Sequence, residues 1–204
     1  MSAGAPGEGP ASRRAVFLDR DGVINEDRHY ISRVEDFVLL PGAIEAMQRL
    51  QTAGFLLILV TNQSGIGRGY YTEADMHRVH QHLEAQMARS GVSFARIYFA
   101  PEAPDQPSHG RKPSPQFVFD ARDTFGLDLR RCYFVGDKWI DVQCGWNAGV
   151  RRSVLVRTGY GAETEREHRA DLSRVVVVDD LPAAAAWILN DAAGQMGGNA
   201  GDAA

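Results

Sequence analysis

Short apolar runs alternate with amphipathic segments along most of the chain. The apolar runs lie at residues 15–19, 56–61, 96–100, 132–137, 153–159 and 175–178. Between them, apolar residues recur at helical spacing, as Ile44, Met47 and Leu50 do before Gly54 ends their segment. Strands that are apolar on both faces are typical of parallel sheets with helices on each side. The pattern therefore predicts an α/β fold with a doubly wound, Rossmann-like parallel sheet.

The boundaries of three helices can also be predicted. Thr72, with Asp75 three residues later, predicts a capping box at the start of a helix that extends to about residue 90. Ser114 and Pro115 predict the start of a helix that extends to about residue 125, and Gly149 predicts the end of a helix over 140–148. Each of these helices follows one apolar run, as the alternation requires.

The length of 204 residues and the hydrophobic fraction of 44% fit one globular domain with a sizeable core. We place this domain at residues 14–191. The segments 1–13 and 192–204 are rich in small residues and poor in large apolar ones, so we predict a disordered tail at each end.

Composition also limits location and partners. The longest apolar run, at 55–60, is far shorter than the roughly 20 residues that cross a bilayer, and the N-terminus lacks the apolar core of a signal peptide, which favours a cytoplasmic protein. Net charge is −4 and the positive residues are scattered, which argues against a nucleic-acid partner. Cys132 and Cys144 are predicted to be reduced core thiols. We expect a monomer that binds neither nucleic acid nor membrane.

Polar clusters stand at the ends of the predicted strands. Residues 19–22 (DRDG) follow the first strand, 61–65 (TNQSG) follow the second, and 136–138 (GDK) follow a later one, with Asp141 one turn further on. Residues 111–113 (RKP) end a proline-rich loop. In doubly wound sheets, ligands bind outside the carboxyl ends of the strands. The four clusters are therefore predicted to converge on one crevice.

Asp19 and Asp21 place two negative charges close together. Residues i and i+2 of a strand point to the same face, so these carboxylates would repel each other unless a cation lies between them. Mg²⁺ prefers oxygen ligands and is commonly held by one or two carboxylates plus a substrate phosphate, and Asp19 and Asp137 suit such a site. A divalent cation also allows a carboxylate to attack an anionic phosphate ester.

Four motifs in this order resemble those of haloacid-dehalogenase-type (HAD) phosphatases: FLDRDG (17–22), VTNQSG (60–65), RKP (111–113) and VGDKWID (135–141). The longer stretches at 17–25, 60–69 and 111–115 are similar to the branch that contains heptose 1,7-bisphosphate and histidinol-phosphate phosphatases. The resemblance covers roughly residues 14–190. It implies a Mg²⁺-dependent phosphomonoesterase that works through an aspartyl-phosphate intermediate.

The resemblance and the chemistry give the motif residues expected roles. Asp19 is the expected nucleophile, while Asp21 protonates the leaving oxygen and then deprotonates the attacking water. Thr61 binds a phosphoryl oxygen, and Lys112 balances charge on the transferring group. The expected metal ligands are Asp19, the backbone carbonyl of Asp21 and Asp137, and Asp141 either orients Lys112 or touches the metal through water.

The candidate substrate-binding residues are Asn62, Gln63, Arg68, Arg111 and Lys138. Arg111 either binds a second substrate phosphate or is a solvated loop cation, Lys138 has the same alternatives, and Asn62 either binds substrate or caps the next helix. A guanidinium binds phosphate bidentately and would repel the ammonium of histidinol phosphate. We therefore rank heptose 1,7-bisphosphate first, with histidinol phosphate or another small phosphomonoester as the alternative.

The loop before residues 111–113 departs from the related phosphatases. These often carry a structural zinc there, held by a Cys-Pro-His start and a Cys-x-Cys finish. Here the start reads Ala100-Pro101-Glu102 and the finish reads Ser108-His109-Gly110. Because structural tetrahedral zinc is typically held by Cys and His, we expect no structural zinc and a loop held by its prolines and by packing.

The intervals between the motifs are already filled by core helices and strands. We therefore expect a capless domain with an open site, walled by residues 24–38 and 101–111. Two functions without catalysis remain as alternatives, a receiver-like signalling domain and a sugar-phosphate binding module. A receiver carries its phosphorylated aspartate after a later strand, and a binding module would lack Asp19 or Asp21.

Three histidines lie close together in the helix after Thr72. His77, His80 and His82 do not share one helical face, and their neighbours are polar. We interpret them as part of a solvated helix surface rather than as a metal site.

Overall fold

The computed structural model describes residues 13–198 and contains one six-stranded sheet. The strands are β1 (Arg14–Leu18), β2 (Phe55–Asn62), β3 (Arg96–Ala100), β4 (Tyr133–Gly136), β5 (Arg152–Val156) and β6 (Val176–Val178). They pair in parallel in the order β3-β2-β1-β4-β5-β6. This confirms the predicted doubly wound α/β fold.

Six α-helices connect or follow the strands. They are α1 (Ala43–Thr52), α2 (Glu73–Ala88), α3 (Gln116–Phe125), α4 (Trp139–Ala148), α5 (Gly161–Glu167) and α6 (Leu181–Gly198). The predicted capping box of Thr72 and Asp75 opens α2. The sequence did not predict α5, nor the 3₁₀ turns Val34–Asp36, Leu129–Arg131 and Leu172–Arg174.

The sheet is covered on both faces because its strands carry apolar side chains on both faces. In β1, Val16 and Leu18 pack in the layer that contains α1 and α6, while Ala15 and Phe17 pack in the opposite layer with Val118 of α3. The chain builds outward from β1 to β3 and then returns to the other side of β1 with β4. The order therefore reverses between β1 and β4, which is where such sheets open a ligand crevice.

The predicted tails lie only partly within the segment that the structure describes. Residues 1–12 and 199–204 are outside that segment. Arg13, placed in the N-terminal tail by the sequence, forms a bridge with Leu127, and α6 continues to Gly198, beyond the predicted domain end at residue 191. The described segment contains no separate cap unit. A membrane-spanning helix would need more length and hydropathy than any helix of this segment has.

Candidate active site

A cavity of about 280 Å³ opens at the carboxyl edge of the sheet, beside the point where the strand order reverses. It lies there because β1, β2 and β4 all end at this edge and each is followed by a polar motif. The predicted site residues that line it are Asp19, Asp21, Thr61, Asn62, Arg111, Lys112 and Lys138. The structure thus brings together side chains from all four motifs.

Three carboxylates cluster at the cavity, where Asp19 belongs to the lining and Asp137 and Asp141 do not. One oxygen from each of Asp19, Asp137 and Asp141 lies within 4.8 Å of the other two, and all three residues are buried. Burial raises the pKa of Asp19, although the charge of Lys112 opposes this shift. Burial also raises the pKa of Asp137 well above its usual range. A cluster of this kind stabilises bound positive charge.

Lys112 reaches into this cluster from the loop before α3. Its Nζ lies 2.8 Å from Asp19 Oδ1 and 2.7 Å from Asp141 Oδ1. Burial disfavours the ammonium, but Asp141 and Asp19 outweigh burial and raise the pKa of Lys112. Lys112 is therefore charged at neutral pH and is directed at the predicted nucleophile.

Asn62 fixes the backbone of Lys112. Its Nδ2 donates to the Lys112 carbonyl oxygen at 3.1 Å, and its Oδ1 accepts from the Lys112 amide at 3.0 Å. The side chain of Asn62 therefore does not cap the helix that follows, which was one of the two alternatives. It joins the end of β2 to the segment that carries Lys112.

Two glycines make room for Asp137. A Cβ added at Gly22 would lie 2.2 Å from Asp137 Oδ2, and one added at Gly159 would lie 2.3 Å from the same oxygen. Gly22 also has φ of +84°, which bulky residues rarely adopt, so it turns the chain away after Asp21 as expected. Asp137 Oδ2 accepts a hydrogen bond from the amide of Tyr160 at 2.9 Å.

Asp21 is held by three side chains. Arg20 donates to both of its oxygens, the shortest contact being 2.8 Å, Asn25 Nδ2 donates at 2.9 Å, and Gln63 Nε2 donates at 3.2 Å. Burial opposes ionisation of Asp21, but the charge of Arg20 and the hydrogen bonds from Asn25 and Arg20 outweigh it and lower its pKa. The resting residue is a fixed carboxylate that faces the cavity.

The interpretation of the α2 histidines as a solvated surface is wrong for His80. It is 3% exposed, and its Nε2 lies 3.2 Å from Nη1 of Arg20. Because a guanidinium only donates, Nε2 must be the acceptor in this contact. Burial, reinforced by the charge of Arg20, lowers the pKa of His80 to about 3, so the ring is neutral. His77 is exposed, as predicted.

The remaining predicted substrate residues occupy different environments. Arg111 and Lys138 line the cavity, and Lys138 Nζ also contacts Asp27 at 2.8 Å. Gln63 is buried beneath the site, where it bonds to Asp21, Thr61 and Tyr71, and it is not among the lining residues. Arg68 is exposed outside the lining.

The sequence missed several residues on the cavity wall. His29, Tyr30 and Tyr160 line it, and the Tyr160 hydroxyl lies 3.1 Å from His29 Nδ1. Both His29 and Tyr30 adopt positive φ, which is uncommon for residues with side chains. They belong to the segment 24–38 that was expected to form a wall. Tyr160 follows β5 in a turn without any motif, so only the fold brings it here.

Hydrogen bonds hold the loop that lacks the zinc ligands. Ser108 Oγ donates to Glu102 Oε2 at 2.7 Å, and the amide of Ala103 donates to Gln106 Oε1 at 2.8 Å. The amide of Gly67 donates to the Pro101 carbonyl oxygen at 2.8 Å. Polar side chains of the loop thus fasten both of its ends.

Comparison with known proteins agrees with this geometry. A family model described as HAD-hydrolase-like matches residues 109–184. D-glycero-β-D-manno-heptose-1,7-bisphosphate 7-phosphatase from Photorhabdus laumondii is 39% identical over 177 residues, covering 83% of this chain and 94% of that protein. The enzyme of the same name from Escherichia coli K12 is 40% identical over 164 residues, covering 77% of this chain and 86% of that protein.

One solved structure has a similar fold over most of the chain. The D,D-heptose 1,7-bisphosphate phosphatase of B. bronchiseptica, complexed with magnesium and phosphate, aligns with a TM-score of 0.80 and 32% identity. The alignment covers 88% of this chain and 99% of that one. The likeness is therefore one of sequence as well as of fold.

Proposed function

This chain belongs to the HAD-like hydrolase family that includes these phosphatases, and we propose that it removes the 7-phosphate of D-glycero-D-manno-heptose 1,7-bisphosphate. The observation that carries the proposal is the convergence of Asp19, Asp137, Asp141 and Lys112 at the carboxyl edge of the sheet. Relatives of similar length that share the name of this activity support the choice of substrate.

The carboxylate cluster fits Mg²⁺. Asp137 Oδ1 is buried and has no hydrogen-bond partner among the described residues, so it is available as a metal ligand. Asp19 and Asp137, with the backbone carbonyl of Asp21, would hold the ion, and Asp141 would orient Lys112. A bound divalent cation would reverse the rise in the pKa of Asp19 and Asp137, and it would neutralise charge on the phosphate.

Hydrolysis proceeds in two displacements at phosphorus. A carboxylate oxygen of Asp19 bonds to phosphorus, the bond from phosphorus to the sugar oxygen breaks, and Asp21 gives a proton to that oxygen. Water then attacks phosphorus while Asp21 takes a proton from that water, the bond between phosphorus and the Asp19 oxygen breaks, and inorganic phosphate leaves. Lys112, 2.8 Å from Asp19, balances charge in both steps, and Thr61 donates to a phosphoryl oxygen.

Asp21 must carry a proton in the first of these steps. In the resting site its pKa is lowered, and burial is outweighed chiefly by Arg20. A phosphate dianion that enters the cavity beside Asp21 raises that pKa by charge repulsion, which favours the protonated form when substrate is bound. The resting carboxylate is in turn the form needed as the base in the second step.

Arg111 and Lys138 favour a substrate with a second anionic group. Both line the cavity at positions outside the carboxylate cluster. Arg111 would bind the phosphate that is not transferred, and the same guanidinium would repel the ammonium of histidinol phosphate. The sugar between the two phosphates would contact the wall formed by His29, Tyr30 and Tyr160.

The test is a substrate panel in the presence of Mg²⁺. We expect kcat/KM for heptose 1,7-bisphosphate to exceed that for histidinol phosphate by at least about tenfold, which corresponds to one good charge-assisted hydrogen bond. Asp19→Asn, which is nearly isosteric, should lower activity at least about a thousandfold with an unchanged circular dichroism spectrum. A preference for histidinol phosphate would overturn the substrate, and an active Asp19→Asn variant would overturn the nucleophile.

A further inference from the structure

The loop between β3 and α3 determines where Arg111 lies. Residues 101–115 contain neither helix nor strand, so side-chain and turn contacts rather than secondary structure fix this part of the cavity wall. Two other residues of the loop, Glu102 and Ser108, contact Arg111 directly. We call the three residues the 102–108–111 clasp.

Three hydrogen bonds close the clasp into a ring. Nη1 of Arg111 donates to the carbonyl oxygen of Glu102 at 3.0 Å, and the amide of Arg111 donates to Ser108 Oγ at 3.2 Å. Ser108 Oγ in turn donates to Oε2 of Glu102 at 2.7 Å. The backbone and the side chain of Arg111 are therefore both fixed, and each by a different residue.

The clasp leaves the charge of Arg111 available. The acceptor for its guanidinium is a neutral carbonyl oxygen, while the carboxylate of Glu102 is bonded to the Ser108 hydroxyl. A guanidinium has five N–H donors, and this contact uses one. Arg111 is half-buried and lines the cavity. A fixed positive group, whose other guanidinium donors have no acceptor among the described residues, therefore faces the space where substrate enters.

We propose that Ser108 and Glu102 are positioning residues that hold Arg111 against the second phosphate of the substrate. This inference rests on the proposed function. Without the clasp, the long Arg111 side chain would regain its rotamer freedom, and binding would have to restrict that freedom again. The effect should therefore appear in binding of the phosphate that is not transferred, and not in chemistry at Asp19.

The experiment compares two substrates that differ by that phosphate. They are heptose 1,7-bisphosphate and heptose 7-phosphate, and the variants are Ser108→Ala, Arg111→Ala and the double variant. Ser108→Ala should raise KM for the bisphosphate about five- to tenfold with little change in kcat, and should leave both constants for the 7-phosphate unchanged. Because Ser108 acts through Arg111, the double variant should be no worse than Arg111→Ala.

Two further variants separate positioning from loop stability. Ser108→Thr keeps the hydroxyl and should restore the KM of the wild type. Gln106→Ala removes a hydrogen bond in the same loop that involves Ala103 and not Arg111, so it should leave the KM for the bisphosphate unchanged. A rise in KM with Gln106→Ala equal to that of Ser108→Ala would contradict the proposal.

The outcomes also distinguish the clasp from the proposed function. If Arg111→Ala binds and hydrolyses the bisphosphate as wild type does, the assignment of Arg111 to the second phosphate is wrong and the clasp proposal falls with it. If Arg111→Ala raises KM but Ser108→Ala does not, or if their effects add fully, the proposed function stands and the clasp is wrong. If Ser108→Ala lowered kcat/KM equally for both substrates, Ser108 would act only on the structure of the loop, and the inference would be wrong.

Discussion

His80 should make the stability of this protein depend on pH in the acidic range. Burial, together with the charge of Arg20, lowers the pKa of His80 to about 3 from an ordinary value of 6.5. Between these two values the unfolded chain binds a proton and the folded chain does not. The free energy of unfolding therefore falls as the pH drops below about 6.5. Above that value His80 is neutral in both states and no longer changes the free energy of unfolding.

The size of the effect follows from one proton. The slope is about 1.4 kcal/mol per pH unit, and between about pH 8 and pH 5 only the interval below about 6.5 contributes. The titration of His80 should therefore lower the free energy of unfolding by about 2 kcal/mol at pH 5. This is a substantial part of the roughly 5–15 kcal/mol that stabilises a typical domain.

Urea unfolding across this pH range measures the effect when wild type is compared with His80→Gln. The amide oxygen of glutamine accepts from Arg20 but does not titrate, so this variant should lose about 2 kcal/mol less than wild type between pH 8 and pH 5. An equal dependence in wild type and His80→Gln would refute the reasoning.

A second substitution tests the hydrogen bond itself. His80→Leu replaces the ring by an apolar side chain. Nη1 of Arg20, which is fully buried, then loses the acceptor that His80 provides. This substitution should cost about 1–3 kcal/mol at every pH relative to His80→Gln. If the two variants were equally stable, Arg20 would not depend on a partner at this position.

Exhaustive chelation should abolish turnover and Mg²⁺ should restore it, because Asp19 and Asp137 are buried close together; full activity in the chelated protein would contradict the proposed metal site. Elemental analysis should find no stoichiometric zinc, since Ala100, Glu102, Ser108 and Gly110 stand where related phosphatases have zinc ligands; one zinc per chain would show that this interpretation is wrong. Asn62→Ala should lower kcat at least about tenfold, because it removes both hydrogen bonds that fix the Lys112 backbone, and an unchanged kcat would show that Lys112 is held by other contacts.

The fold and the centre of the site were predictable because both depend on local patterns. Apolar runs that alternate with helical segments leave few topologies, and parallel strands bring the residues that follow them to one edge. Asp19 and Asp137 each directly follow the last residue of a strand, and Thr61 is the second-last residue of β2. Their positions in the sequence therefore predict that they lie near one another. Lys112 is harder to place from the sequence, because it lies in an irregular loop and its long side chain is what reaches Asp19.

The contacts that the sequence did not predict join distant segments. His80 lies 60 residues from Arg20, and its burial was missed although it shares a helical stripe with Met76, Leu83 and Met87, which are all buried. That spacing was a usable signal. Tyr160 offered none, since a turn after a strand says nothing about which cavity it borders. Nor did composition reveal that α6 continues beyond residue 191, because helix length depends on packing and caps as well as propensity.

The pair Gly22 and Gly159 has a consequence for how this sequence can vary. Every missense change in a glycine codon adds at least a Cβ, and at either position that atom would overlap Oδ2 of Asp137. No conservative replacement therefore exists, whatever its polarity or size. In a library that samples all substitutions, both positions should accept nothing but glycine among active clones, so the space that Asp137 occupies limits variation at two positions that have no side chain of their own.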